Sequence, residues 1–130
     1  MTPGGPSTRE AESAPRPDER FRPEERIRRR ADYVAVYDRG RKIGGRLMTV
    51  FFLENGQERP RLGIAATRKY GSAVQRNRAK RLVREVFRRH KPTGGLDIVV
   101  VPRREMLDAD LRRVEADYVA AVARRARRGL

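Results

Sequence analysis

The chain has 130 residues, with 32 Lys or Arg against 17 Asp or Glu, a formal net charge of +15 and no cysteine. That length suits one domain, and the missing cysteines exclude disulfides, thiolate metal centres and a cysteine nucleophile. The cationic excess favours a phosphate polymer as partner, so nucleic acid is the expected partner class.

Residues 1–25 hold five of the eight prolines, with Gly, Ser, Glu and Arg and little that is apolar except Phe21. Such a segment cannot bury enough surface to offset its ordering entropy, so a disordered tail is expected there and a folded domain over 26–130. Glu10, Glu12, Asp18, Glu19, Glu24 and Glu25 are too many acids for an organellar transit peptide. No apolar run approaches the roughly 18 residues of a membrane span, which makes the cytoplasm the expected location and a membrane an unexpected partner.

Residues 27–39 predict a short helix ending at Gly40, with Ile27, Tyr33, Val34 and Tyr37 at helical spacing. Tyr33 and Tyr37 share a face, where they serve either as core or as rings presented to a base. A short edge strand around Lys42 and Ile43 leads to Leu47–Leu53, a β-branched and aromatic strand that is apolar on both faces. Asn55-Gly56 and Pro60 mark a turn, after which residues 61–67 predict an antiparallel partner strand.

Residues 68–91 then carry ten Lys or Arg and one acid, Glu85, a net +9 of the chain's +15. From Ser72, a candidate N-cap, to Pro92 this stretch predicts a helix. Ala79, Leu82, Val83, Val86 and Phe87 fall within about a 140° arc, the width of a stripe that packs on a core. Asn77, Lys80, Arg81, Arg84 and Arg88 fall opposite, on a face that forgoes the Glu–Lys pairs of an ordinary solvated helix. Leu96–Val101, continuously apolar apart from Asp97, predicts a central strand, and strand, basic helix and strand make a βαβ unit with a parallel pair. A last helix over 108–125 puts Leu111, Val114, Tyr118, Val122 and Ala126 on one stripe.

The run Gly71-Ser72-Ala73-Val74-Gln75-Arg76-Asn77-Arg78-Ala79-Lys80-Arg81-Leu82-Val83-Arg84 resembles the signature of the bacterial ribonuclease P protein component family, with its Arg-Asn-Arg core, Lys-Arg-Leu and a further Arg. The resemblance extends over about residues 27–126. It implies an α/β (α+β) sandwich with a mixed sheet of about four strands, three helices and a left-handed βαβ crossover, a hand that the general rule for such units disfavours. It also implies a protein subunit that joins a catalytic RNA and helps it remove the 5′ leader of precursor tRNA, with Mg²⁺ bound mainly by the RNA and no DNA partner. Carried over residue by residue, Arg68, Lys69, Arg76, Asn77, Arg78, Lys80, Arg81, Arg84 and Arg88 bind RNA. Tyr33, Tyr37, Phe51 and Ala65 form the leader cleft. Many relatives have Phe where this chain has Tyr in the first helix, and Ser or Thr where Ala65 stands, so a hydroxyl contact at that position is lost here.

Leaders of unrelated sequence have to be held by charge and stacking, and a cationic cleft with aromatics supplies both at roughly 1–3 kcal/mol per stacked base. For catalysis by the protein itself, the chain offers one His, His90, placed to cap the basic helix, and scattered carboxylates with no constellation. The competing class is a ribosomal or nucleoid-type structural binding protein, which explains the charge but not the basic motif together with a separate aromatic cleft. A protein-only nuclease is a third class and requires activity without RNA.

Overall fold

Four strands form one mixed sheet in the computed structural model, which describes residues 22–128. The elements are α1 (Arg30–Arg39), β1 (Arg41–Gly44), β2 (Met48–Glu54), β3 (Arg61–Ile64), α2 (Ala73–Arg89), β4 (Leu96–Pro102) and α3 (Leu111–Arg128), with 3-10 turns at Pro23–Glu25 and Arg104–Asp108. The strand order is β1-β2-β4-β3. β4 runs antiparallel to β2 and parallel to β3, so β3, α2 and β4 form the expected βαβ unit with β4 central.

Two sequence expectations are corrected. Residues 61–67 do not pair with the preceding strand, because β4 inserts between β2 and β3. The largely apolar β4 needs a neighbour on each side and cover on each face, and only the central slot provides them. The folded chain also begins ahead of residue 26. Glu25 is buried, accepting from the Arg22 amide at 2.8 Å and from Lys91 Nζ at 3.0 Å, and Arg26 and Ile27 run along the outer edge of β3, where the Ile27 amide donates to the Leu62 carbonyl. The rest of the expected tail, residues 1–21, lies outside the described residues.

The sheet is covered on both faces. Met48, Val50, Phe52, Ile98 and Val100 point to a main core closed by Val83, Val86 and Phe87 of α2 and Val114, Tyr118 and Ala121 of α3. Losing one of the buried aromatics there would cost about 3–5 kcal/mol. The other face carries a smaller cluster under α1, built on Ile27, Val36 and Val99 with Tyr33, Phe51, Leu53, Ala65 and Val101 against it. The stripe expected on the first helix is thereby shifted: Ile27 precedes α1, Val36 is its fully buried residue, and Val34 is 44% exposed. On α3, Ala126 is exposed while Ala121 takes the buried place.

Local chemistry fixes the ends. Ser72 caps α2 reciprocally with Gln75, its hydroxyl accepting from the Gln75 amide at 3.2 Å and its own amide donating to the Gln75 side chain at 2.8 Å. Asp117 on α3 accepts from the amides of Arg46 and Leu47, which ties that helix to the β1–β2 turn. A Cβ on Gly45 would lie within 2.9 Å of the same carboxylate.

Candidate nucleic-acid interface

α1 crosses the strands from β3 toward β1. Near its start, Tyr33 lies over β3 so closely that a Cβ on Gly63 would stand 2.7 Å from the ring. One turn on, Tyr37 meets Phe51 of β2 edge-on, with centroids 5.0 Å apart and planes at 77°. Ala65 completes the same cluster, so the structure brings together all four residues expected to form a cleft. Burial raises the pKa of both tyrosines, and a hydrogen bond with the Ile64 backbone partly offsets it at Tyr33. Tyr33 and Phe51 are half-buried, whereas Tyr37 is 40% exposed.

Two hollows flank Tyr33. One, of about 140 Å³, is bounded by Tyr33, Arg26, Gly63 and Ile64 and by Lys80 and Arg84 of α2, so the aromatic cleft and the basic helix share a wall. The other, of about 460 Å³, lies between Arg28, Arg30, Tyr33, Val34 and Tyr37. Arg28 and Arg30 were not singled out from the sequence, although the unbroken Arg28-Arg29-Arg30 run ahead of an aromatic helix is a signal available there.

The cations of the basic stretch divide into two kinds. Arg68, Lys69, Lys80, Arg81 and Arg84 make no ion pair among the described residues, and Asn77 is exposed beside them. Arg76 donates to the Gly71 carbonyl at 3.1 Å, and Arg78 donates to the carbonyls of Leu107 and Ala109 at 3.2 and 2.6 Å. These two brace the ends of neighbouring segments as well as carrying charge. The expectation that the whole face forgoes pairing is corrected at its last turn, where Glu85 accepts from Arg88 and, at 2.9 Å, from Arg89. The Arg88 hydrogen bond is the main reason that the Glu85 carboxyl titrates below its usual range. Free charge is therefore concentrated at the Arg68–Lys69 turn and the first three turns of α2.

A second buried ionic contact, beside that of Glu25 with Lys91, escaped the sequence reading. Asp97 interrupts the apolar β4 and accepts from Arg61 through two bonds, 2.8 and 2.7 Å, and from Asn55 Nδ2 at 2.8 Å, while Asp32 of α1 lies 3.5 Å from the same guanidinium. The hydrogen bonds to Asp97 are the main reason that the Arg61 pKa is raised. His90 contacts Glu115 at 2.6 Å, bridging α2 and α3, in addition to ending α2.

Among the described residues no three His, Asp or Glu gather as a metal site. Glu25, Asp97, Glu85 and Asp117 are each taken up by cations or backbone amides.

A family model described as Ribonuclease P matches residues 21–126. A ribonuclease P protein component of Thermotoga maritima is 41% identical over 99 residues, covering 75% of this chain and 84% of that protein. Another, from Oleidesulfovibrio alaskensis, is 47% identical over 96 residues, covering 71% and 74%. Among solved structures, the RNase P protein of Staphylococcus aureus superposes with a TM-score of 0.70 at 31% identity over 76% of this chain and 93% of that one. The RNase P protein from Thermotoga maritima gives 0.68 at 37% identity over 74% and 93%.

Proposed function

This chain belongs to the ribonuclease P protein family, and from that membership we propose that its unpaired cations hold the catalytic RNA of the enzyme while its aromatic cleft holds the 5′ leader of precursor tRNA. The protein is a component of an endoribonuclease with an RNA partner. In the proposed division of labour the RNA and its Mg²⁺ carry out phosphodiester cleavage, the protein alone does not cleave, and both act in the cytoplasm. Among the described residues no helix is long and apolar enough to cross a membrane.

The observation that carries this reading is the wall shared by Tyr33, Lys80 and Arg84. It puts a stacking surface beside the cations that meet folded RNA, so a strand leaving the RNA core passes directly onto the rings. Folded RNA presents phosphates and a shallow minor groove, which an Arg- and Asn-bearing helix engages by shape and charge. The single-stranded leader is engaged without base-edge readout, by Tyr37 and Phe51 from their faces and by Arg28 and Arg30 from the rim. A ribosomal or nucleoid-type role accounts for the charge but gives no purpose to this juxtaposition.

The test compares wild-type, Tyr37→Ala and Phe51→Ala holoenzymes on precursor tRNA with a leader of several nucleotides and on mature tRNA. Loss of roughly 1–3 kcal/mol of binding is expected on the precursor only. Equal losses on both ligands in variants that melt normally, or no loss, would remove the leader from the cleft.

A further inference from the structure

At the opposite end of α1 from Tyr33 lies a groove of about 830 Å³ that none of the assignments above uses. It straddles the β1 edge of the sheet, between the C-terminal ends of α1 and α3. Arg39, Arg41 and Arg125 line it, with Phe52 and Leu53 below and Glu54 on the rim. Three guanidiniums thus face one carboxylate, and among the described residues none of the three is ion-paired. Arg125 sits 5.9 Å from the Phe52 ring centre, and its carbonyl accepts from Arg41 at 3.4 Å, so two of the three cations are held in place while Arg39 is exposed. An unneutralised trio of guanidiniums, two of them held in place, matches phosphate oxygens by charge and by fork geometry.

The groove adjoins the residues of the aromatic cleft. Leu53 belongs both to the cluster that holds Tyr33 and Phe51 and to the groove floor. Arg30, Val34 and Tyr37 share one exposed flank of α1, Val34 and Tyr37 being 44% and 40% exposed, while Arg39 stands at the C-terminal end of the helix beside the groove. Cations therefore stand at both ends of α1. The strand order puts β3 and β1 at opposite edges. α2 packs beside β3, so the groove is the end of the path farther from the helix proposed to meet the catalytic RNA.

We propose that the groove lined by Arg39, Arg41 and Arg125 is a second phosphate-binding site for the same single strand, taking the leader nucleotides that have already passed the aromatic cleft. This rests on the leader reading of the cleft. α1 has ten residues and a length of about 15 Å, which corresponds to about four or five stacked nucleotides at roughly 3.4 Å each. A leader of about four nucleotides fills the cleft alone, and one of about ten reaches the groove.

The experiment measures holoenzyme affinity for precursor tRNA with leaders of about one, four and ten nucleotides, in wild type, Arg39→Glu, the double variant Arg39→Ala/Arg125→Ala, and Tyr37→Ala. Wild type is expected to gain affinity again between four and ten nucleotides. Both groove variants should lose that second gain, roughly two- to fivefold per cation, and lower the salt slope for the longest leader by about one per phosphate contact. Their affinity for the four-nucleotide leader should stay unchanged. Arg39→Glu alters only an exposed side chain, so it reports on the groove even if the double variant loosens the end of α3. No second gain in wild type, or an equal loss at all three lengths, would overturn the groove proposal, the latter marking a contact with the catalytic RNA or the tRNA body instead. A Tyr37→Ala enzyme that keeps the full leader-length dependence would instead defeat the cleft reading on which the proposal stands.

Discussion

Tyr118 is fully buried on α3 and its hydroxyl has no hydrogen-bond partner among the described residues. Burial pushes the phenol pKa far up, so the group stays neutral through the working range and contributes size rather than polarity. Leaving a buried hydroxyl unpaired costs about 1–3 kcal/mol, and Phe has the same shape without that group. Tyr118→Phe should therefore raise stability by about 1 kcal/mol, visible as a higher melting temperature, whereas a fall would reveal a partner for the hydroxyl. Gly63 makes the opposite point about polarity and space. It is buried beneath Tyr33 because any side chain there would displace the ring, so the tyrosine's place over β3 depends on a residue with no side chain. Periodicity cannot register such a contact, since it links two residues thirty positions apart through an absence of atoms.

At the level of the element, α2 carries bracing residues alongside the exposed cations proposed to meet RNA. Arg78 ties the helix to the turn ahead of α3 through two carbonyls, while Arg81 and Arg84 are exposed and have no ion pair among the described residues. Arg78→Ala should accordingly lower the melting temperature, and the Arg81→Ala/Arg84→Ala pair should leave it unchanged. The pair should instead weaken binding to the catalytic RNA and reduce the steepness of its salt dependence by about one unit per lost phosphate contact. Titrating RNA at several salt concentrations alongside thermal melts separates the two outcomes, and a folded double variant with unchanged affinity and slope would contradict the assignment. The caps, length and apolar stripe of α2 were legible in the sequence because they depend on neighbours within one or two turns. The membership of β4 in the centre of the sheet was legible from its composition, but the neighbour of β3 was not, because the Asn-Gly turn fixes chain reversal and leaves pairing to long-range burial. The Arg61–Asp97–Asn55 cluster was invisible for the same reason, its partners lying on three separate segments.

Across the whole molecule, the folded boundary at the N-terminus determines how much of the chain can be removed. Residues 1–21 lie outside the described part, and their composition supports the proposal that they are dispensable for cleavage of precursor tRNA. Deleting them should leave holoenzyme turnover and melting temperature nearly intact. Deleting through Ile27 should lower the melting temperature by several degrees, since it leaves Lys91 without Glu25 and bares the outer edge of β3. Equal effects of the two deletions would place the boundary elsewhere. The central position of β4 bears, finally, on how the protein is made. On the ribosome, a nascent chain that has emerged only as far as Lys91 already displays the +9 stretch, yet β3 has no strand beside it and Tyr33 has no settled floor. Until residues 96–102 arrive, the chain attracts polyanions by charge alone and has no shape with which to choose among them. The selectivity for the catalytic RNA proposed above would thus be acquired late in synthesis, when β4 enters the gap between β2 and β3.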